Sequence, residues 1–185
     1  TPEQAVIETT GKTLIDVEIY RDCALKLRSV EKGKPLPAHE IISTGIKALY
    51  DGLKLQRVGF LMMTRDRDQL VSKYLVCQKN SAPLDKVTLK LEGKTLFVRL
   101  LAASQCFWLN DDNRQKYGAL VPADFREQVS ARSFLAMSVF VGEKPIGMFY
   151  ADNHGTDISL NNKHQQYFKQ ISLLVGQALM QQRKE

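Results

Sequence analysis

The sequence predicts an α+β domain: a central antiparallel β-sheet with N- and C-terminal helices packed on one face. Three observations carry this reading. Two short apolar runs, Phe134 to Val141 and Ile146 to Tyr150, flank the turn-forming Gly142-Glu143-Lys144-Pro145. Aromatic and β-branched residues dominate both runs, so they read as a β-hairpin closed by a four-residue loop. Both alternating sets of the first run are apolar, Phe134, Ala136 and Phe140 against Leu135, Met137, Val139 and Val141. A strand wet on one face would spare one set, so the hairpin is expected at the centre of a sheet covered on both sides. Helical periodicity before and after the strands gives the order helix, sheet, helix.

Taken in order, residues 1–34 read as an N-terminal linker helix and residues 35–185 as the main domain. Val17, Tyr20, Ala24 and Leu27 recur at steps of 3, 4 and 3, the spacing of one helix face and of a helix–helix seam. Gly11-Lys12-Thr13 is rejected as a phosphate-binding loop, because Val6 stands where the earlier glycine is required and no strand precedes it. Gly33-Lys34-Pro35 ends the helix. Pro37 suits a first helical turn, and Ile42, Ile46, Leu49 and Leu53 follow at helical spacing up to the stop at Asp51-Gly52.

Val58 to Thr64 reads as a buried strand, joined through Arg65-Asp66-Arg67-Asp68 to a partner at Gln69 to Gln78, with a loop at Asn80 to Pro83. Val87, Leu89 and Leu91 alternate with polar residues and suggest an edge strand. Thr95 is placed to cap a helix holding Leu96, Phe97, Leu100 and Leu101, and Cys106 to Leu109 forms a short strand. Asp111 to Val129 is irregular, with Pro122 opening a turn of helix that buries Phe125 and Val129. A last helix starts near Asn162, and Phe168, Ile171, Val175 and Ala178 repeat the steps of 3, 4 and 3.

Composition narrows the classes. The chain has 185 residues, of which 44% are hydrophobic and 25% charged, enough for one sizeable core. The longest uncharged apolar run, Val58 to Met63, is far too short to span a bilayer. No basic segment followed by an apolar one opens the sequence, so no signal peptide is expected. The sequence starts at Thr1, as a fragment of a longer protein would. Its three cysteines, Cys23, Cys77 and Cys106, are too scattered for a disulfide framework, and a cytoplasmic setting is expected. The net charge of +6 is dispersed, with Arg65 and Arg67 alternating with Asp66 and Asp68, so neither nucleic acid nor membrane is an expected partner.

The run Glu143-Lys144-Pro145-Ile146-Gly147-Met148-Phe149-Tyr150-Ala151-Asp152 resembles the late hairpin of GAF domains, where a glycine follows the turn and an aromatic-Ala-Asp run ends the strand. Gly52 to Phe60 is similar to the GAF entry into its first strand. Trp108-Leu109-Asn110-Asp111-Asp112-Asn113 is similar to a segment of bacterial proteins that join a GAF-like domain to an HDOD domain. The resemblance spans roughly residues 36–182. It implies a GAF-like fold, a sensory or regulatory role in a bacterial signalling protein, and an HDOD domain upstream.

Catalytic chemistry finds little support in the residues. His39, His154 and His164 have no paired spacing and no CxxC occurs, so no metal is expected. Cys77 and Cys106 fall in predicted strands, as small core residues do, and their spacing is unlike that of GAF-fold methionine sulfoxide reductases. The Cys-His pair of bilin-binding GAF domains and the motif of cyclic-nucleotide GAF domains are both missing, and no cofactor is expected. The chain is therefore read as a non-enzyme.

One candidate site remains. Trp108, Asn110 and Asp111, with Asp112, gather ring, amide and carboxylate groups between a strand and an irregular loop, and Ser138 and Tyr150 of the hairpin are expected to join them as ligand-binding residues. The alternatives are that Trp108 fills core, that Asp111 or Asp112 caps a turn, and that Ser138 bonds a neighbouring carbonyl. Three functions stay open: a ligand-binding regulatory domain, a thiol-dependent reductase using Cys77 or Cys106, and an interaction module whose pocket its own side chains fill. The two narrow helical seams also suggest a homodimer, the alternative being that the two helices pack on each other or on the sheet within one chain.

Overall fold

The computed structural model describes residues 15–79 and 81–184; the Gly11-Lys12-Thr13 segment lies outside the described residues. The chain runs α1 (Val17–Glu31), α2 (Ala38–Lys47), β1 (Arg57–Met63), β2 (Gln69–Cys77), β3 (Thr88–Lys90), α3 (Leu96–Ala102), β4 (Cys106–Leu109), α4 (Arg114–Tyr117), α5 (Ala123–Val129), β5 (Phe134–Val141), β6 (Lys144–Asp152) and α6 (Asn162–Lys184). A π-helical turn, Ala48–Gly52, prolongs α2. All pairings are antiparallel, in the order β3-β2-β1-β6-β5-β4. No helix among the described residues is long and apolar enough to cross a membrane.

The hairpin β5–β6 lies inside this sheet and is covered on both sides, with β6 at the centre and β5 next to the edge strand β4. Leu135, Met137, Val139, Phe149 and Ala151 face α1, α2 and α6, whereas Phe134, Ala136, Met148 and Tyr150 face α3 and α5. Its loop is tighter than the sequence suggests. Val141 pairs with Lys144, so only Gly142 and Glu143 form the turn. Gly142 has φ 64°, the left-handed backbone such a two-residue turn needs. Pro145 is tolerated in β6 because β1 pairs only as far as Gly147, so its missing N–H costs no hydrogen bond on that side.

Gly147 is the tightest point of the sheet: a Cβ there would lie 2.4 Å from the Leu61 carbonyl oxygen and 2.7 Å from the Phe60 ring. Phe60 and Phe149, opposite one another in the β1–β6 register, meet edge to face at 5.0 Å between centroids, a geometry that adds to simple burial.

The helical seams are used within the chain. Val17, Tyr20, Ala24 and Leu27 of α1 are buried, as are Phe168, Ile171, Val175 and Ala178 of α6. The Tyr20 hydroxyl donates to the Tyr167 carbonyl at 2.8 Å, and their rings stand 4.6 Å apart. The stripes are also wider than the seam residues, because Cys23, Val30, Leu174 and Leu179 are buried too. A broad stripe is the mark of a helix that covers a core. The seam residues are therefore packed within the chain, α1 against α6 and α6 against β5.

Candidate functional site

Trp108 stands on β4, the edge strand beside β5, and alternation turns it toward the α6 face with Cys106, while Phe107 and Leu109 turn the other way. Trp108 is half-buried. Its Nε1–H donates to Ser133 Oγ at 3.2 Å, and that hydroxyl donates to the Leu109 carbonyl at 2.6 Å. The ring is thus tethered by its polar tip rather than sealed in the core.

Directly after β4, Asn110 caps the turn. Its Oδ1 accepts from the backbone N–H groups of Asp112 and Asn113 at 3.0 and 3.1 Å. Asn113 reciprocates, its Oδ1 accepting from the Asn110 N–H at 2.9 Å and its Nδ2 donating to the Trp108 carbonyl at 2.8 Å. This is the capping role that the sequence offered to Asp111 or Asp112, taken instead by the neighbouring amide. Asp111 is exposed and pairs with Arg114 and, at 3.2 Å, with Arg132. Hydrogen bonds from Arg114 and then Arg132 hold its carboxyl below the usual range.

Trp108, Asn110 and Asp111 line one cleft of about 490 Å³, together with Arg132 and Ser133 on their side and the loop from Asn153 to Leu160 opposite. A second opening of about 730 Å³ lies round the edge of β4 and shares Trp108 and Asn110 with the first. Both volumes are in the range of small-molecule sites.

Ser138 and Tyr150 are not brought to this cleft. The Ser138 hydroxyl is buried and donates at 2.5 Å to the carbonyl of Leu100 near the end of α3, where helix carbonyls lack partners of their own. Tyr150 is buried among Phe125 and Phe134, with ring centroids 5.5 Å away in both cases. Its hydroxyl donates to Asp152 Oδ2. Burial, and then the adjacent carboxylate, push the phenol well above its ordinary pKa. On that face of the sheet Phe97, Phe125, Phe134 and Tyr150 pack ring against ring.

The structure adds a group that sequence reasoning missed. Arg57 and Asp152 form an ion pair with a shortest contact of 2.8 Å, their side chains 2% and 0% exposed. Arg57 Nη2 also donates to the Val129 carbonyl at 2.7 Å and Nη1 to the Ala82 carbonyl at 3.4 Å, while Asp152 Oδ1 accepts from the His154 N–H at 2.9 Å. A lone arginine opening an otherwise apolar strand was the available signal.

Two of the three thiols sit where burial disfavours the thiolate. Burial pushes Cys106 up to about 12 and raises Cys23 as well, whereas a reactive cysteine needs a depressed pKa. Cys77 Sγ accepts from the Leu84 N–H at 3.4 Å. Among the described residues, no group of three or more His, Cys, Asp or Glu side chains is placed to hold a metal ion.

Solved structures share this fold. A methyl-accepting chemotaxis protein fragment, residues 122 to 287, is 20% identical with a TM-score of 0.64, over 88% of this chain and 97% of that one. The phycocyanobilin-bound GAF domain of a cyanobacterial phytochrome is 12% identical with a TM-score of 0.66, over 91% and 95%. The GAF domain of an Acinetobacter phosphoenolpyruvate-protein phosphotransferase is 13% identical with a TM-score of 0.59, over 88% and 91%. No curated protein sequence matches the chain. The GAF domain family model matches residues 37–179, and the chain belongs to the GAF domain family.

Proposed function

We propose that this GAF domain is a non-catalytic regulatory module that receives a small polar ligand in the cleft between Trp108–Asp111 and the loop from Asn153 to Leu160. The observation that carries the reading is the half-buried Trp108, held by Ser133 with its ring at the wall of a cleft of about 490 Å³. An apolar surface beside a few oriented polar groups is the usual make-up of a ligand site. That a GAF domain of the same fold is bound to phycocyanobilin supports ligand reception as a use of the fold, without naming the ligand here.

The setting in a cytoplasmic bacterial signalling protein with an upstream HDOD domain is part of the same proposal, supported by the resemblance of Trp108 to Asn113. A homodimer also stays a proposal; its contacts would have to come from exposed residues such as Leu25, Leu173 and Met180. The ring-filled face around Phe125 and Phe134 favours, as a second reading, an interaction module whose pocket its own side chains fill, and the ligand reading then rests on the cleft at the sheet edge alone.

Thermal-shift screening of metabolites tests the proposal. A stabilising hit that Trp108→Ala removes supports it, and a hit that Trp108→Ala leaves intact moves the site elsewhere.

A further inference from the structure

We propose that Arg57 and Asp152 are the positioning pair of this cleft, holding both of its walls from inside the sheet; this rests on reading the cleft as the ligand site. One wall leaves β6 at Asp152, whose Oδ1 accepts the His154 N–H at 2.9 Å and so sets the direction of the following loop. The other wall, at Arg132 and Ser133, follows closely on Val129, whose carbonyl accepts from Arg57 Nη2 at 2.7 Å. Between them the chain turns through Ser130 at φ 54°, a backbone region that non-glycine residues seldom enter. The anchored carbonyl just before Ser130 holds that turn. A third tie, from Arg57 Nη1 to the Ala82 carbonyl at 3.4 Å, fixes the segment against which Gly155 rests, with Ser81 Cα 3.9 Å from the place of a Gly155 Cβ.

Filling this space does not require an ion pair. Apolar residues of similar volume often replace a buried pair with little loss of stability. They cannot, however, accept the His154 N–H or donate to the carbonyls of Val129 and Ala82. Those three backbone groups belong to segments outside the strands, and all three lead to the cleft or pack beside it. Held by one guanidinium and one carboxylate, they give the cleft a fixed shape before any ligand arrives, which lowers the ordering cost of binding.

The triple variant Arg57→Met/Tyr150→Phe/Asp152→Val tests this, Tyr150→Phe being included because the phenol otherwise loses its acceptor. Two readouts apply: amide hydrogen exchange, and acrylamide quenching of Trp108, the single tryptophan of the chain. The expected result is exchange at least about 10-fold faster at His154 and Thr156, whose N–H groups are bonded in the wild type, and stronger quenching of Trp108, with wild-type protection kept in β1 and β6. Wild-type exchange at His154 and Thr156 together with unchanged quenching overturns the proposal. Should the variant not fold, the wild-type protein decides the matter. His154, donating to a buried carboxylate, should then be protected about 100-fold or more relative to exposed Gly155, and equal exchange at the two overturns the proposal. Neither readout uses a ligand, so an empty metabolite screen counts against the cleft reading alone.

Discussion

Arg57 and Asp152 stand directly opposite one another across β1 and β6, and their guanidinium–carboxylate pair is closed to water on every side. Removing one partner strands the other charge in the interior, whereas replacing both does not. Asp152→Ala is therefore expected to destabilise the domain by about 3–5 kcal/mol in urea denaturation. A loss below about 1 kcal/mol would show that water reaches the pair.

His164 gives the domain an acid-sensitive helix start. Its Nδ1 accepts from the Asn161 N–H at 3.1 Å, while Asn161 Oδ1 accepts from the His164 N–H at 3.0 Å. With Nδ1 used as an acceptor, the neutral ring carries its proton on Nε2, which is buried without a partner. Burial lowers the pKa from 6.5 to about 4. The unfolded chain thus takes up a proton that the folded one refuses, and stability falls as pH drops from about 6.5 toward 4. The integrated loss from this residue is on the order of 3 kcal/mol. Denaturation midpoints measured across that window should show the slope, and His164→Leu should flatten it. An equal slope in the variant would assign the acid sensitivity to other groups.

Gly147 and Gly142 separate two reasons for a glycine. At Gly147 a methyl group meets the Leu61 carbonyl at 2.4 Å, which backbone cannot relieve by a rotamer change. At Gly142 the nearest atoms are the tip of Met180, at 3.6 Å, so the cost there is only that of a positive φ. Gly142→Ala should cost about 1 kcal/mol, and Gly147→Ala about 3 kcal/mol or more. Thermal denaturation of the two variants gives the order, and the reverse order would contradict the close approach of β1 and β6.

Strands, helices and core were legible wherever an apolar run or stripe was long enough to show its period. The central hairpin is the clearest case, since both of its faces are apolar. That same property hid where Ser138 and Tyr150 point, because alternation cannot rank two buried faces. The stripes on α1 and α6 read as narrow for a related reason: Cys23, Val30, Leu174 and Leu179 widen them once the packing is known. In the irregular stretch, α4 and the turn at Gly118–Leu120 have no period to read. Arg57 and Asp152 lie 95 positions apart, a pairing that only the sheet register brings together. Trp108, Asn110 and Asp111 were visible as neighbours because they are neighbours in the chain; the loop that faces them was not.

Cys106 offers a test of the non-catalytic proposal. With its pKa pushed up to about 12 by burial, it should react with a disulfide reagent far more slowly than a free thiol at pH 8. No reduction of free methionine sulfoxide is expected in the presence of a thiol reductant. Turnover that Cys106→Ser abolishes would overturn the non-catalytic reading.

The cleft itself is tested most directly by the emission of Trp108, the only tryptophan in the chain. A metabolite that raises the melting temperature should be titrated into the wild-type protein while that emission is followed. The account predicts a saturable change whose midpoint agrees with the affinity derived from the thermal shift. A metabolite that stabilises the protein at saturation yet leaves Trp108 emission unaltered would contradict it.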